Sequence, residues 1–237
     1  MRTNKKIDIN TDISYLILYS SFLNNLGLLN GKTGISIFFY HYTTFTGCNH
    51  YATFTGCKKY HRFADELINE LYSEISNNSP IDFANGLCGI AWGISYLTIH
   101  NFVEVDNGVL NELDKKIMEI DTERIKDYSL ERGLAGFGYY AMSRYCSQSS
   151  KTKITKDYIE KLLSALLKSQ DNDCIDIYNN YKNGKYEDVT QIEKDLLHFL
   201  TPVKQIRHII PSNPLSLNGV AGYNLRQILK KRENGYI

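Results

Sequence analysis

The sequence predicts an all-α protein, a ring or solenoid of helical hairpins with an inner and an outer layer. Three features predict it: a fourfold internal repeat of glycine turns, an apolar helix-period run after each turn, and amphipathic segments between the turns. Proline is scarce, at 4 of 237 residues, which leaves long segments free to be helical. The length suits one domain spanning residues 1–237.

The repeat consists of four segments that align without gaps, each with a Gly-x-x-Gly pair. They are LLNGKTGISIFFYHY from Leu28, FANGLCGIAWGISYL from Phe83, LERGLAGFGYYAMSR from Leu130 and SLNGVAGYNLRQILK from Ser216. The pairs are Gly31/Gly34, Gly86/Gly89, Gly133/Gly136 and Gly219/Gly222. Glycines three apart lie on one face of a helical turn, where missing side chains let another backbone approach closely. We therefore expect four helix starts crowded around a common axis.

The residue before each first glycine is the candidate binding position. It is Asn30, Asn85 and Asn218 in three turns and Arg132 in the other. Asparagine in this place favours a helix cap, with its side-chain oxygen accepting a first-turn N–H. The alternative is that these four side chains line the mouth of a central pocket. Helix amino termini aimed inward would then favour a polar or anionic group, such as a peptide carboxylate.

Amphipathic segments of mixed charge separate the turns and predict an outer layer of helices. They are ISYLILYSSFLNNL from Ile13, YHRFADELINELYSEI from Tyr60, VLNELDKKIMEI from Val109, KDYIEKLLSALLKS from Lys156 and QIEKDLLHFL from Gln191. The first glycines are 55, 47 and 86 residues apart. Because the last interval spans nearly two periods, we expect a degenerate hairpin between Asp171 and Pro214.

A direct duplication interrupts the first period, where HYTTFTGCN from His41 is followed at once by HYATFTGCK. Nine residues rotate a helix by about 180°, so we expect the copy in the loop where the first apolar helix ends, near Thr46 and Gly47. The duplication brings Cys48, His50 and Cys57 close to His61 in the sequence. These are zinc-binding residue types, but their spacing matches no compact zinc motif, and we predict no metal site.

Composition excludes several classes of function. Hydrophobic residues make up 43%, charged residues 22%, and the net charge is +1 without a basic block, which argues against nucleic-acid binding. The apolar patch ISYLILYSSFL is too short and too interrupted for a membrane anchor or a signal peptide. Five scattered cysteines fit reduced thiols, so we expect a cytoplasmic protein.

The segments GLLNGKTGI, NGLCGIAWG, RGLAGFGYY and SLNGVAGY resemble the lanthionine synthetase C-like family. The resemblance implies an α/α toroid, a double ring of helices. It also implies peptide chemistry, because enzymes of this family add a cysteine thiol to a dehydrated Ser or Thr and close a thioether ring. The chain is shorter than the catalytic members and has fewer turns, which predicts an incomplete toroid.

The resemblance also implies where zinc would bind. In catalytic members a cysteine lies two residues before the first glycine of a motif and a histidine one before. Here those positions hold Leu29-Asn30, Ala84-Asn85, Glu131-Arg132 and Leu217-Asn218. Cys88 follows its glycine instead, and we expect Cys88 and Trp92 to be core residues. No cofactor is expected, since the zinc ligands of the family are absent from these positions.

These observations predict a pseudoenzyme of ribosomal peptide modification, of the kind found in lantibiotic biosynthesis. It would bind a peptide substrate or a partner protein, and an oligomer is compatible with it. One alternative is an active cyclase, or another peptide-modifying enzyme, with atypical ligands. A weaker alternative is a carbohydrate-active α/α-barrel enzyme, for which Asp82 and Glu131 are the candidate carboxylate pair.

Overall fold

The computed structural model describes residues 9–46, 55–76, 78–104, 107–146, 154–200 and 214–233. Regular structure in these ranges is entirely helical, which confirms the all-α prediction. The α-helices are α1 (Ile9–Ser20), α2 (Lys32–Phe45), α3 (Thr55–Glu74), α4 (Leu87–Ile99), α5 (Asn107–Met118), α6 (Leu134–Cys146), α7 (Lys156–Ser169), α8 (Asn172–Lys182), α9 (Val189–Phe199) and α10 (Val220–Glu233). Two 3₁₀ turns lie at Thr122–Arg124 and Lys185–Glu187. None of these helices has the length and apolar character needed to cross a bilayer.

The four helices that follow the glycine turns form the inner layer. They stand side by side in the order α10, α2, α4, α6. Helix α4 buries every residue from Leu87 to Leu97, and α6 buries every residue from Leu134 to Arg144. A helix that is buried on all sides needs apolar or small residues around its whole circumference, which is what the repeat supplies.

The helices between the turns form the outer layer and bury only one face. Helix α7 coincides with the predicted segment and turns Tyr158, Leu162 and Leu166 inward. Its solvent face carries ion pairs one turn apart, such as Lys161 with Asp157 at 2.9 Å. In the same way α3 packs on α2, and α5 packs on α4. The predicted two-layer alternation is confirmed for these hairpins.

The segment predicted to hold a degenerate hairpin contains α8 and α9, with a 3₁₀ turn between them. Helix α9 contacts α6. The carboxyl end of α9 is hydrogen-bonded to α10. There the Arg226 guanidinium donates to the Leu197 and Leu200 carbonyl oxygens at 2.7 and 2.6 Å. Thus α9 links the two ends of the inner row, α6 and α10, without a glycine turn of its own.

The first copy of the duplication runs through the end of an inner helix near the predicted place, whereas the end of the second copy lies in α3 and not in a loop. Helix α2 ends at Phe45 with Thr46 as its carboxyl cap, and α3 begins at Thr55 inside the second copy. Gly47, Cys48 and His50 lie outside the described residues, as does the side chain of Cys57.

Candidate functional site

The four glycine turns lie next to one another at the amino end of the inner helices, and their backbones are hydrogen-bonded in series. The Asn218 amide donates to the Leu29 carbonyl at 2.9 Å, and the Leu29 amide donates to the Ala84 carbonyl at 3.0 Å. The Ala84 amide in turn donates to the Glu131 carbonyl at 2.9 Å. Equivalent positions of the repeat therefore meet at one end of the ring, here called the turn end.

The paired glycines allow this arrangement because the backbone passes too close for any side chain. A Cβ on any of the eight would lie 2.5 Å or less from a backbone atom: Gly31, Gly34, Gly86, Gly89, Gly133, Gly136, Gly219 and Gly222. A Cβ on Gly89 would overlap the Phe83 carbonyl of its own turn and lie 2.9 Å from Leu28 Cβ in the preceding turn. The requirement is for space, since Gly31 and Gly86 have extended backbone conformations that any residue can adopt.

Four asparagine side chains form a hydrogen-bonded row across the turn end, here called the asparagine row. Asn218 Nδ2 donates to Asn30 Oδ1 at 3.1 Å, and Asn30 Nδ2 donates to Asn85 Oδ1 at 3.0 Å. The same Asn85 oxygen accepts from Asn25 Nδ2 at 2.7 Å. Sequence reasoning missed Asn25, because it precedes the first turn and has no counterpart in the repeat. The structure thus brings three of the four predicted residues together and adds one.

The helix-capping prediction was wrong for Asn30 and Asn85. The residues at the amino caps of α2 and α4 are Gly31 and Gly86, and no side chain caps either helix. First-turn amides bond instead to carbonyls of the loop before each turn, as Lys32 N does to Asn25 O at 2.9 Å and Leu87 N to Pro80 O at 2.8 Å. Because the loop backbone satisfies these amides, the side chains of the asparagine row are left to bond one another.

Arg132 is not part of the asparagine row. Its side chain is exposed, and its turn is the last in the backbone series. The nearby Asp127 carboxyl has a lowered pKa, chiefly because Ser129 donates to it and to a smaller extent because of the Arg132 charge. Arg132 therefore lies near an acidic loop residue at the edge of the turn end.

An aromatic cluster that the repeat did not predict packs beneath the turn end. The Phe199 ring, at the end of α9, lies 5.2 Å from Phe83, 5.0 Å from Trp92 and 4.9 Å from Tyr139. Trp92 is fully buried, as predicted, and stacks on Tyr96. Phe199 occupies the space between α4 and α6, so side chains fill the interior beside the second turn.

The comparisons with known proteins place this arrangement in a family. A family model described as lanthionine synthetase C-like protein matches residues 22–198, well over half of the chain. The chain belongs to the lanthionine synthetase C-like family. Its fold is accordingly an α/α toroid. No curated protein and no solved structure matches the chain. The matched residues include three glycine turns, and the fourth turn, with Asn218, lies beyond them.

The residues at the family's zinc positions do not fit a zinc ion. Three of the four positions that correspond to cysteine hold the buried apolar residues Leu29, Ala84 and Leu217, and the fourth holds a single exposed carboxylate, Glu131. The positions that correspond to histidine carry Arg132 or amides of the asparagine row, and zinc prefers thiolate, imidazole and carboxylate ligands. In the described ranges, no group of three His, Cys, Asp or Glu side chains could hold a metal ion.

The other candidate residues have structural roles where the structure describes them. Cys88 is fully buried, as predicted, and burial raises the pKa of its thiol well above its ordinary value, with the charge of Asp82 adding to the effect. Asp82 Oδ1 accepts the Asn85 backbone amide at 2.8 Å and so stabilises the second turn. Glu131 is exposed, and its carbonyl ends the backbone series. His61 Nδ1 lies 3.1 Å from Asp65 Oδ2 on α3.

Proposed function

We propose that this lanthionine synthetase C-like protein acts in ribosomal peptide modification as a peptide-binding or partner subunit that works without zinc. The observation that carries the proposal is the asparagine row, three of whose residues lie at the position that corresponds to the histidine ligand of a catalytic member. The proposal includes a cytoplasmic location, which rests on the odd number of scattered cysteines.

The chemistry of the asparagine row suits a peptide backbone. A side-chain amide offers an N–H donor and a C=O acceptor, the same groups that a peptide bond presents. Among the described residues, Asn85 Nδ2 and Asn218 Oδ1 have no hydrogen-bond partner. Asn85 is half-buried and Asn218 is exposed, so an extended peptide lying across the turns would meet a donor and an acceptor on one surface.

The charge and hydrogen bonding of the turns favour a peptide segment over a terminal carboxylate. The first-turn amides of α2 and α4 already bond to loop carbonyls, so they are not available to an anion. Arg132, the one cationic candidate, takes no part in the hydrogen bonds of the asparagine row. We therefore revise the expected ligand from an anionic group to uncharged peptide bonds.

The cyclase alternative needs an activated thiolate and ligands other than those at the turn end. Cys88 does not provide the activated thiolate, since a fully buried thiol with a raised pKa remains protonated. Cys48, His50 and Cys57 are its remaining candidates. The carbohydrate alternative gains no support from Asp82, whose carboxylate is engaged by a backbone amide.

Selection of peptides on the immobilised protein tests the proposal. A random twelve-residue peptide library should yield ligands that bind the protein and lose about tenfold or more in affinity to Asn85→Ala, the scale of one or two lost hydrogen bonds. Asn183→Ala, which changes an exposed asparagine at the end of α8, is the matched control and should bind as the unaltered protein does.

A second variant separates binding from folding. Asn218→Ala removes the exposed end of the asparagine row and should weaken the same ligands without changing the melting temperature. If the library yields no ligand, or if ligands bind both row variants as tightly as the unaltered protein, the proposed site is wrong.

A further inference from the structure

A groove on the outer surface lies between α3 and the loop that follows α4. It encloses about 370 Å³. The side chains that define it are Tyr40, His61, Asp65, Tyr72, Phe102 and Glu104. None of them belongs to a glycine turn or to the asparagine row, and we call it the Glu104 groove.

Aromatic side chains line the Glu104 groove: Phe102, Tyr72 and His61 are partly exposed, and Tyr40 is fully buried behind them. The ring of Tyr40 stacks with that of Phe102 at 5.5 Å between centroids and an angle of 22°. His61 meets Tyr40 edge to face at 5.1 Å. Aromatic faces carry negative electrostatic potential, and they pack well against an alkyl chain that ends in a positive charge.

The charges that line the Glu104 groove are carboxylates. Asp65 Oδ1 accepts the Tyr40 hydroxyl at 2.6 Å, and Asp65 Oδ2 lies 3.1 Å from His61 Nδ1, so this carboxylate has a fixed position. Glu104 is exposed and has no ion-pair partner among the described residues. No lysine or arginine of the described ranges lines this groove.

Two other surface grooves provide a contrast, because each contains its own cations. One is lined by Lys161, which pairs with Asp157 at 2.9 Å. The other is lined by Lys115 and Lys116. Of these three grooves, the Glu104 groove is the one that the described part of the chain lines with carboxylates and without lysine or arginine.

One wall of the Glu104 groove also carries an unused hydroxyl. The Tyr72 oxygen is buried and has no hydrogen-bond partner in the described part of the chain. Burial raises the pKa of Tyr72 to about 12, so the hydroxyl remains neutral. Its oxygen can accept a hydrogen bond from an N–H group that enters the groove.

We propose that the Glu104 groove binds the cationic end of a lysine or arginine side chain of a peptide. The alkyl stem packs against the partly exposed rings of Phe102 and Tyr72, and the charged group lies between the carboxylates of Asp65 and Glu104. This gives each part of the ligand a chemical counterpart: an apolar wall for the stem and an unneutralised negative charge for the head. The proposal does not depend on the function of the asparagine row, and either can fail without the other.

Capped amino acids test the proposal without knowledge of the peptide. The probes are the Nα-acetyl N-methylamides of lysine and arginine, titrated at pH 8 into the full chain and followed by NMR. Their uncharged counterparts, norleucine and citrulline, are the matched ligand controls. We expect at least one cationic probe to bind about tenfold more tightly than its uncharged counterpart, the scale of one hydrogen bond to a charged group. Whichever cation binds more tightly identifies the preferred side chain.

Two variants locate the binding in the Glu104 groove. Glu104→Gln should weaken the cationic probe about tenfold and leave the norleucine and citrulline probes unchanged. Because Glu104 is exposed, its replacement should not affect folding. The control Glu112→Gln changes an exposed carboxylate of another groove and should leave the affinity unchanged. Absence of binding, equal affinity for charged and uncharged probes, or an unchanged affinity in Glu104→Gln would overturn the proposal.

Discussion

At the scale of single residues, the interior contains two buried aspartates with unequal surroundings. Asp114 is fully buried and accepts two bonds from the Arg144 guanidinium, at 3.0 and 2.8 Å, and one from the Tyr140 hydroxyl at 2.7 Å. Asp195 is also buried and accepts the Gln191 amide at 2.9 Å, but its second oxygen has no partner in the described residues. A buried carboxylate without a cation resists ionisation, and Asp195 therefore links stability to pH.

Asp195→Asn should stabilise the protein at alkaline pH. Burial raises the pKa of Asp195 from 3.8 to about 7. The folded-state pKa lies above that of the unfolded chain, so this carboxyl reduces stability progressively as pH rises from about 4 to about 7. The asparagine side chain carries no charge and so removes the cost of ionising a buried carboxyl. We expect the free energy of unfolding to rise by up to about 4 kcal/mol at pH 8 and to change little at pH 4.

Urea denaturation of the variant at the two pH values measures this effect. Asp176→Asn, which changes an exposed aspartate, is the matched control. Its effect on the free energy of unfolding should be the same at pH 4 and at pH 8. An equal effect of Asp195→Asn at pH 4 and pH 8 would show that Asp195 does not titrate as described.

The sequence identified most of the asparagine row but misassigned its chemistry. The repeat showed that Asn30, Asn85 and Asn218 are equivalent, and equivalent positions of a closed repeat meet at one place. Their role was misread because the helices begin after the glycines, which leaves the asparagines outside the first turn. Asn25 could not be predicted, since its contact with Asn85 spans 60 residues and follows no local pattern.

At the scale of elements, the second glycine of three pairs, Gly34, Gly89 and Gly136, lies against the neighbouring turn as well as its own. A Cβ on Gly136 would lie 2.5 Å from the Leu130 carbonyl and 2.6 Å from Phe83 Cβ in the adjoining turn. Two residues later in the same helix, a Cβ on Gly138 would meet side-chain methyl groups only, the nearest being Ile177 Cδ1 at 3.0 Å. A methyl group can move aside, whereas the backbone of a turn is fixed.

Gly136→Ala and Gly138→Ala should therefore differ sharply in stability. We expect Gly136→Ala to lower the free energy of unfolding by about 3 kcal/mol, because its methyl group overpacks against a rigid backbone. The free energy of unfolding of Gly138→Ala should stay within about 1 kcal/mol of that of the unaltered protein, because the helix propensity of alanine offsets a tight contact with a flexible side chain. Urea denaturation followed by Trp92 fluorescence measures both, and similar costs for the two variants would contradict the account of the turns.

Periodic elements were predictable from the sequence, and irregular ones were not. The amphipathic pattern gave α7 with its observed bounds, since its apolar residues follow one face closely. Helix α8 was missed because only Cys174 and Ile177 of its eleven residues are buried, which leaves a polar sequence. Helix α3 begins at Thr55, before its predicted start at Tyr60, because the second copy of the duplication supplies its first turn.

At the scale of the whole molecule, a ring of helices brings four distant segments of the chain to one surface. The turns at residues 28–34, 83–89, 130–136 and 216–222 are hydrogen-bonded in series, although the first and last are about 190 residues apart in the sequence. A second link joins α1 to α10, where Asn224 Nδ2 donates to Asp12 Oδ2 at 2.9 Å. The single domain expected over residues 1–237 stays a prediction.

The family resemblance predicted the α/α toroid and located the positions to inspect, but the function of the turn end depends on the side chains there. Apolar residues and amides occupy the zinc positions of three turns, and Glu131 and Arg132 occupy those of the other, so a shared architecture does not by itself assign the chemistry. The central claim is therefore that the turn end binds peptide through amides without a metal ion.

Calorimetric titration of a selected peptide into chelator-dialysed protein tests this claim most directly. The account predicts that the dissociation constant stays within about twofold of its original value after chelation and after zinc is restored, since the amides at these positions are poor zinc ligands. Loss of binding on chelation, with recovery when one equivalent of zinc per chain is added, would contradict it.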